Sequence, residues 1–177
     1  MAKEDAEKHL DIPKKDKSIQ SVSDGAAAIV KFTVYGEPVP KERARTVTDV
    51  KPNGKKVTHS YTPENTSIHE QKIALVYKSI YHGFKFREGV PLLFAVDVYL
   101  PIPKRTSKRK VEAMIAGEIR PVGHVGDVDN YEKCAADALL KIAYEDDCQI
   151  VEMTGRKFYS EQPRTEIYIA SLREGEF

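Results

Sequence analysis

The chain has 177 residues, 41% of them hydrophobic, which suits one compact domain with a buried core. No apolar run reaches the roughly 18 residues of a membrane span, and the first residues lack the apolar stretch of a signal peptide. Two cysteines without a CxxC or histidine pair exclude a zinc pattern, so a reduced, cytoplasmic protein is expected.

The net charge of +1 conceals local asymmetry. Residues 1–28 are polar, with five lysines against six acids, and read as a mobile leader ahead of a domain spanning 29–177. Val30, Phe32 and Val34 alternate with Lys31, Thr33 and Tyr35, the pattern of a half-buried strand. Pro38 and Pro40 end it. Residues 41–59 carry six bases (Lys41, Arg43, Arg45, Lys51, Lys55, Lys56) against two acids. Within them Asn53-Gly54 signals a hairpin, giving a basic two-stranded arm, although a flexible loop fits the same residues. Pro63 to Tyr81 has helical spacing, with Ile68, Leu75, Val76 and Ile80 on or near one stripe, and Gly83 stops it.

Leu92–Leu100 predicts a strand that turns Phe94, Val96, Val98 and Leu100 inward. A second basic run, residues 101–120, holds six bases (Lys104, Arg105, Lys108, Arg109, Lys110, Arg120) against two acids. A short helix over Ser107–Ala116 falls inside it, with Ser107 as N-cap and Gly117 beyond its end. The strongest helix pattern covers Asp127–Ala143 and buries Tyr131, Cys134, Ala135, Ala138, Leu139 and Ile142. Strands over Gln149–Phe158 and Arg164–Ala170 complete the chain. The order predicts an α+β fold, a small mixed sheet with helices on one face.

Chemistry concentrates between residues 125 and 150, where seven acids (Asp127, Asp129, Glu132, Asp137, Glu145, Asp146, Asp147) meet two bases. Such crowding calls for a cation or solvent. Hard divalent ions such as Mg²⁺ take oxygen ligands, usually one or two carboxylates plus water and phosphate. An acidic site flanked by two basic runs suits a polyanion whose backbone is gripped while one phosphate meets metal. Each feature also has a plainer reading. Asp127 can serve as an N-cap, Lys133 as a helix-face partner of Asp129 or Asp137, His124 as an exposed loop residue, and the basic runs as solvated surface. Acids at the far end of the helix, Asp146 and Asp147, are not explained by capping. A helix of about 16 residues is ~24 Å long, so its ends cannot share an ion unless the chain turns back or a second protomer supplies one side. P-loop, GxSxG, HExxH and EF-hand templates are absent.

Asp127-x-Asp129-Asn130-x-x-Lys133, then Asp137-Ala138-Leu139, then Tyr144-Glu145-Asp146-Asp147-x-Gln149-Ile150 closely resembles the signature of the RusA family of Holliday-junction resolvases. Gly36-x-Pro38-Val39-Pro40-Lys41-x-Arg43-x-Arg45, Tyr61-Thr62-Pro63 and Gly117-Glu118-Ile119-Arg120-Pro121 are similar to its phage and prophage branch. The likeness runs over roughly residues 30–170 in the same order.

It implies a RusA-like fold and a homodimeric, Mg²⁺-dependent endonuclease, with Mn²⁺ as a possible substitute, that nicks four-way DNA junctions in symmetric pairs. By the same resemblance Asp127, Asp129 and Asp147 match the metal-binding aspartates, Lys133 the essential lysine, and Asp146 a neighbouring acid that shares the work. The fold of that family draws the carboxylates to one pocket. Gly126 stands where relatives commonly carry a basic residue or proline, so one DNA contact is expected to be missing. Lys41, Arg43, Arg45, Lys104, Arg105, Lys108, Arg109 and Lys110 would hold the DNA arms. The alternatives are a non-catalytic, structure-selective DNA-binding protein and a nuclease for branched DNA in general, flaps and forks included.

Overall fold

A computed structural model describes residues 28–51, 53–123 and 125–172. The predicted leader, except Ala28, and His124 lie outside the described residues. In chain order the elements are β1 (Ile29–Tyr35), β2 (Arg45–Val50), β3 (Lys56–Tyr61), α1 (Glu64–Tyr81), β4 (Leu92–Pro101), α2 (Lys108–Ile115), α3 (Val128–Leu139), β5 (Ile150–Ser160) and β6 (Arg164–Ser171). A 3₁₀ turn, Asp147–Gln149, leads into β5.

The strand patterns assemble as the alternation dictates. Four strands form a mixed sheet in the order β1-β6-β4-β5. β6 pairs antiparallel with β1 and β4, whereas β4 and β5 run parallel and are joined through α2 and α3. Val30, Phe32 and Val34 of β1, Phe94, Val96 and Val98 of β4, and Ile167 and Ile169 of β6 are buried in one core. α1 and α3 lie against this sheet and against each other. The architecture is therefore α+β, as the element order predicts.

α1 presents a different face from the predicted one. Its buried residues are Thr66, His69, Ile73, Tyr77 and Tyr81, while Ile68 and Leu75 are 56% and 69% exposed and Ile80 is 37% exposed. Tyrosine decides the matter. Tyr77 and Tyr81 sit one turn apart and both meet the edge of Phe32, at centroid distances of 5.5 and 6.2 Å. Each ring buries more area than a single aliphatic side chain and also places its hydroxyl. Tyr77 donates to Phe84 O, and Tyr81 both donates to Lys31 O and accepts from Lys31 N, closing part of the open edge of β1. A stripe counted from aliphatic residues alone misses that face.

α3 ends four residues earlier than its periodicity predicts. Leu140 turns extended at ψ 133° and Lys141 adopts φ 64°, so the helical ladder stops at Leu139. The Tyr144 hydroxyl donates 2.7 Å to Ala136 O, satisfying a last-turn carbonyl. Ile142 is then only half-buried beside the core.

β2 and β3 form a separate antiparallel ribbon, the two-stranded arm. Every residue in it is exposed except half-buried Val57. The Asn53-Gly54 turn closes it, with Gly54 at φ 76° and Lys55 N donating to Asn53 Oδ1. Hydroxyl pairs Thr46–Ser60 and Thr48–Thr58, both 3.0 Å, tie the strands.

Candidate metal and nucleic-acid site

The N-terminus of α3 gathers the first acid pair. Asp127 occupies the N-cap position, but its side chain makes no capping hydrogen bond and stays exposed. Asp129, in the first turn, is exposed as well, and Lys133 Nζ lies 3.3 Å from its Oδ2. With side chains 63% and 55% exposed, this i,i+4 pair adds at most a few tenths of a kcal/mol to the fold. Two carboxylates and an ammonium thus stand together in water with little structural duty.

The backbone beneath them is fixed. Gly126 has φ 86°, and a Cβ there would come 3.1 Å from both Pro40 Cγ and Tyr131 Cε2. A basic side chain or proline at this position is therefore sterically unsuited to this chain. A base from another strand occupies that neighbourhood: Lys157 Nζ donates 2.7 Å to Gly126 O. The Tyr131 hydroxyl donates to Val125 O, and Lys41 N donates 2.8 Å to Asn130 O. Gly155 of β5 allows the helix to sit close, since a Cβ would meet Val128 Cγ2 and Glu132 Oε1 at 2.6 Å. Burial, helped by the Asp129 charge, raises the Glu132 carboxyl above its ordinary value.

The second acid group lies at the other end of α3. The turn after the helix is held by buried Gln149, whose Oε1 accepts from Glu145 N and Asp146 N. Its Nε2 donates to Arg87 O at 2.9 Å and Val90 O at 3.1 Å. Asp146 caps the 3₁₀ turn by accepting from Cys148 N at 3.0 Å, and that backbone bond holds its carboxyl below the usual aspartate range. Asp147 is exposed, and no capping bond involves its side chain. Its charge and that of Asp137 both reach the Tyr144 hydroxyl, whose pKa burial raises. Beside this turn Glu145 is paired with Lys141 and Lys85, which pull its carboxyl down to about 2.

α3 is 12 residues long, or ~18 Å at 1.5 Å per residue, and it separates these two groups. β5 runs back along α3 from the Asp147 turn and reaches the helix start only at Gly155, which leaves Asp147 itself at the far end. Among the described residues no three His, Cys, Asp or Glu side chains stand close enough to hold one ion. Asp127 and Asp129 still fit a hard divalent cation, because Mg²⁺ needs only one or two carboxylates beside water and phosphate oxygens.

The basic residues divide in the same way. Lys41 is bound between Glu70 and Asp137, the latter at 2.7 Å. Burial lowers the pKa of its ammonium, but the hydrogen bonds it donates to Asp137 and Glu70, with their charges, outweigh that and hold it above the ordinary value. Lys41 therefore ties α1 to α3 and the β1–β2 loop to both. Arg43 and Arg45 are exposed, with Arg45 3.3 Å from Glu42. Lys104, Arg105, Lys108, Arg109 and Lys110 are exposed on α2 and the loop before it. Ser107 is the N-cap residue of α2, although its hydroxyl makes no capping bond. Cys134 is buried, and that burial pushes its thiol up to about 12, as suits an inert apolar side chain.

Gln149 was legible as a device and was missed as one. Asp146 and Gln149 have the spacing of a capping box, and both of its hydrogen bonds are present. The contacts of Lys157 and Lys41 with the α3 start come from separate elements, and no local pattern signals them.

A family model described as Endodeoxyribonuclease RusA matches residues 35–170. The chain is also 41% identical over 145 residues to the uncharacterized protein YqaN of Bacillus subtilis (strain 168), covering 81% of this chain and 96% of that protein. Among the described residues no helix is long and apolar enough to cross a membrane.

Proposed function

The chain belongs to the RusA endodeoxyribonuclease family, and from that membership we propose that it resolves four-way DNA junctions by paired, symmetric, Mg²⁺-dependent nicks. The observation that carries this reading is the exposed Asp127–Asp129 pair with Lys133 one turn on, free of capping duty on a rigid backbone. Asp127 and Asp129 would hold the cation, and Asp147 of a second copy would complete the site, with Asp146 keeping that turn in shape. Mg²⁺, or Mn²⁺ in its place, held by these carboxylates would supply an acidified water and positive charge beside the phosphate. Lys133 stands one turn away, where its ammonium can meet charge that builds on the phosphate oxygens.

The substrate grip follows from the exposed cations. Arg43 and Arg45 on the entry to the β2–β3 arm, together with Lys104, Arg105, Lys108, Arg109 and Lys110, would neutralise backbone phosphates and hold two DNA arms. A homodimer matches a substrate of two-fold symmetry and places one site on each strand to be cut.

The test is cleavage of a labelled four-way junction beside a linear duplex and a flap, with Mg²⁺ or EDTA, by wild type and Asp129→Asn. Metal-dependent paired nicks on the junction, lost in the variant while binding persists, are expected. Equal cutting of flaps and forks would replace this reading with a general branched-DNA nuclease. Junction binding without cutting in any metal would replace it with a binding protein.

A further inference from the structure

The sheet face turned away from α1 and α3 carries a row that the nuclease site does not use. Tyr35 of β1, Arg164 of β6, Tyr99 of β4 and Phe158 of β5 stand in cross-strand register. Three of them stack. The Arg164 guanidinium lies 3.6 Å from the Tyr99 centroid, and Tyr99 stacks on Phe158 at 5.1 Å with 18° between planes. Arg120 covers Phe158 from beyond, at 3.8 Å. The neighbouring row is ion-paired instead, Arg156 to Asp97 by two 2.7 Å bonds and Arg164 to Glu166 at 2.7 Å. The stacked Tyr99–Phe158 pair is therefore flanked by an arginine on either side, Arg164 and Arg120.

Tyr35 ends the row and is different. It is 57% exposed, and its ring has no aromatic or cationic partner among the described residues. Beside it opens a pocket of about 520 Å³ lined by Tyr35, Tyr99, Tyr159, Ile115, Gln162 and Arg164, with Ser160 and Glu161 also contributing. That volume lies within the roughly 300–1,000 Å³ of small-ligand sites. Ile115 belongs to the last turn of α2, whose first turn presents Lys108, Arg109 and Lys110 with no acid among them. The walls are largely aromatic, Arg164 and Glu161 are the charged groups of the lining, amide and hydroxyl groups edge the opening, and the basic first turn of α2 lies at the other end of the helix from Ile115. This is the chemistry of a base on a phosphate backbone, with planar π-faces to stack on and basic residues to hold the strand.

We propose that this pocket receives an unpaired nucleobase of the DNA substrate, stacked against Tyr35 and the Tyr99–Arg164 layer while α2 holds the adjoining phosphates. The inference rests on the nuclease reading, since it takes DNA as the ligand. It adds a second contact, away from the acids, through which the protein favours strands that can expose a base, as at a branch point.

The test compares two single-stranded oligonucleotides of equal length, one all thymidine and one all abasic, binding to the full chain in EDTA. Wild type should bind the thymidine strand about tenfold more tightly, the scale of one base–aromatic stack. Tyr35→Ala should erase that preference and leave abasic affinity unchanged, whereas Tyr35→Phe should retain it. Thermal melts of both variants should match wild type, because the Tyr35 side chain is largely exposed. Equal binding of the two strands by wild type overturns the pocket while leaving junction cleavage intact. Tyr35→Ala that instead splits a dimer, with no change in base preference, also overturns it and assigns the face to a second copy. Loss of all DNA binding and cutting by wild type is the separate failure of the nuclease reading.

Discussion

The two ends of α3 carry the same chemistry and use it differently. At the start, Asp127 and Asp129 expose unbonded carboxylates, and long-range contacts from Pro40, Lys41, Tyr131 and Lys157 fix the backbone under them. At the end, Asp146 is exposed but accepts from the backbone of its own turn, Glu145 is held by two lysines, and Asp147 is exposed without a capping bond. An acid is available for catalysis when something else has taken over its structural work. Gly126, Tyr131 and Lys157 do so at one end, and Gln149 with Asp146 does so at the other.

The largest effect expected from this contrast is catalytic. Asp127→Asn should lower junction cleavage on the order of 100-fold or more, by loss of a charge that acts on the reacting phosphate. Asp146→Asn keeps an N-cap acceptor and should cost only a few-fold, so initial rates of the two variants measure the asymmetry directly. Equal losses would erase it. Next, Gln149→Leu leaves the N–H groups of Glu145 and Asp146 and the carbonyls of Arg87 and Val90 without their partner. We expect it to destabilise by about 2–3 kcal/mol in urea unfolding.

His69 sharpens the contrast on the α1 side. Burial, then the Lys72 charge, lowers its pKa from 6.5 to about 4, so the folded state holds it neutral where the unfolded chain binds a proton. Stability should fall as pH drops from about 6.5 towards 4 and this contribution should level off below. His69→Leu should remove that part of the slope, as read from urea midpoints at pH 7, 5 and 4. The smallest effect on folding belongs to Lys133→Gln. The exposed pair with Asp129 should contribute under ~0.5 kcal/mol to stability, while cleavage falls markedly. A large stability loss there would mean that Lys133 is a structural partner after all.

Periodicity revealed β1 and β4 because their apolar residues turn into one core, and local turn chemistry revealed the Asn53-Gly54 arm. It misjudged α1, where Tyr77 and Tyr81 outweigh Ile68 and Leu75. It also overran α3, because Ala143 and half-buried Ile142 continue the apolar spacing after Leu140 and Lys141 have left helical geometry. The acids and Lys133 were legible by type and spacing. At Gly126, where the resemblance implies one DNA contact fewer, the structure shows a left-handed backbone, close neighbours in Pro40 and Tyr131, and Lys157 Nζ donating to its carbonyl.

By itself the sequence determined the order of elements, the α+β class, the family and the clustering of acids around α3, since these follow from spacing along the chain and from side-chain chemistry. Tertiary structure alone decided which of those side chains are free. That depends on groups from distant strands and loops reaching the same turn: Lys41 caught between Glu70 and Asp137, Gln149 holding the loop before β4, and Lys157 on the carbonyl before Asp127. Pairing across 29, 31 and 62 residues leaves no local pattern, because it arises only when the fold brings those segments into contact.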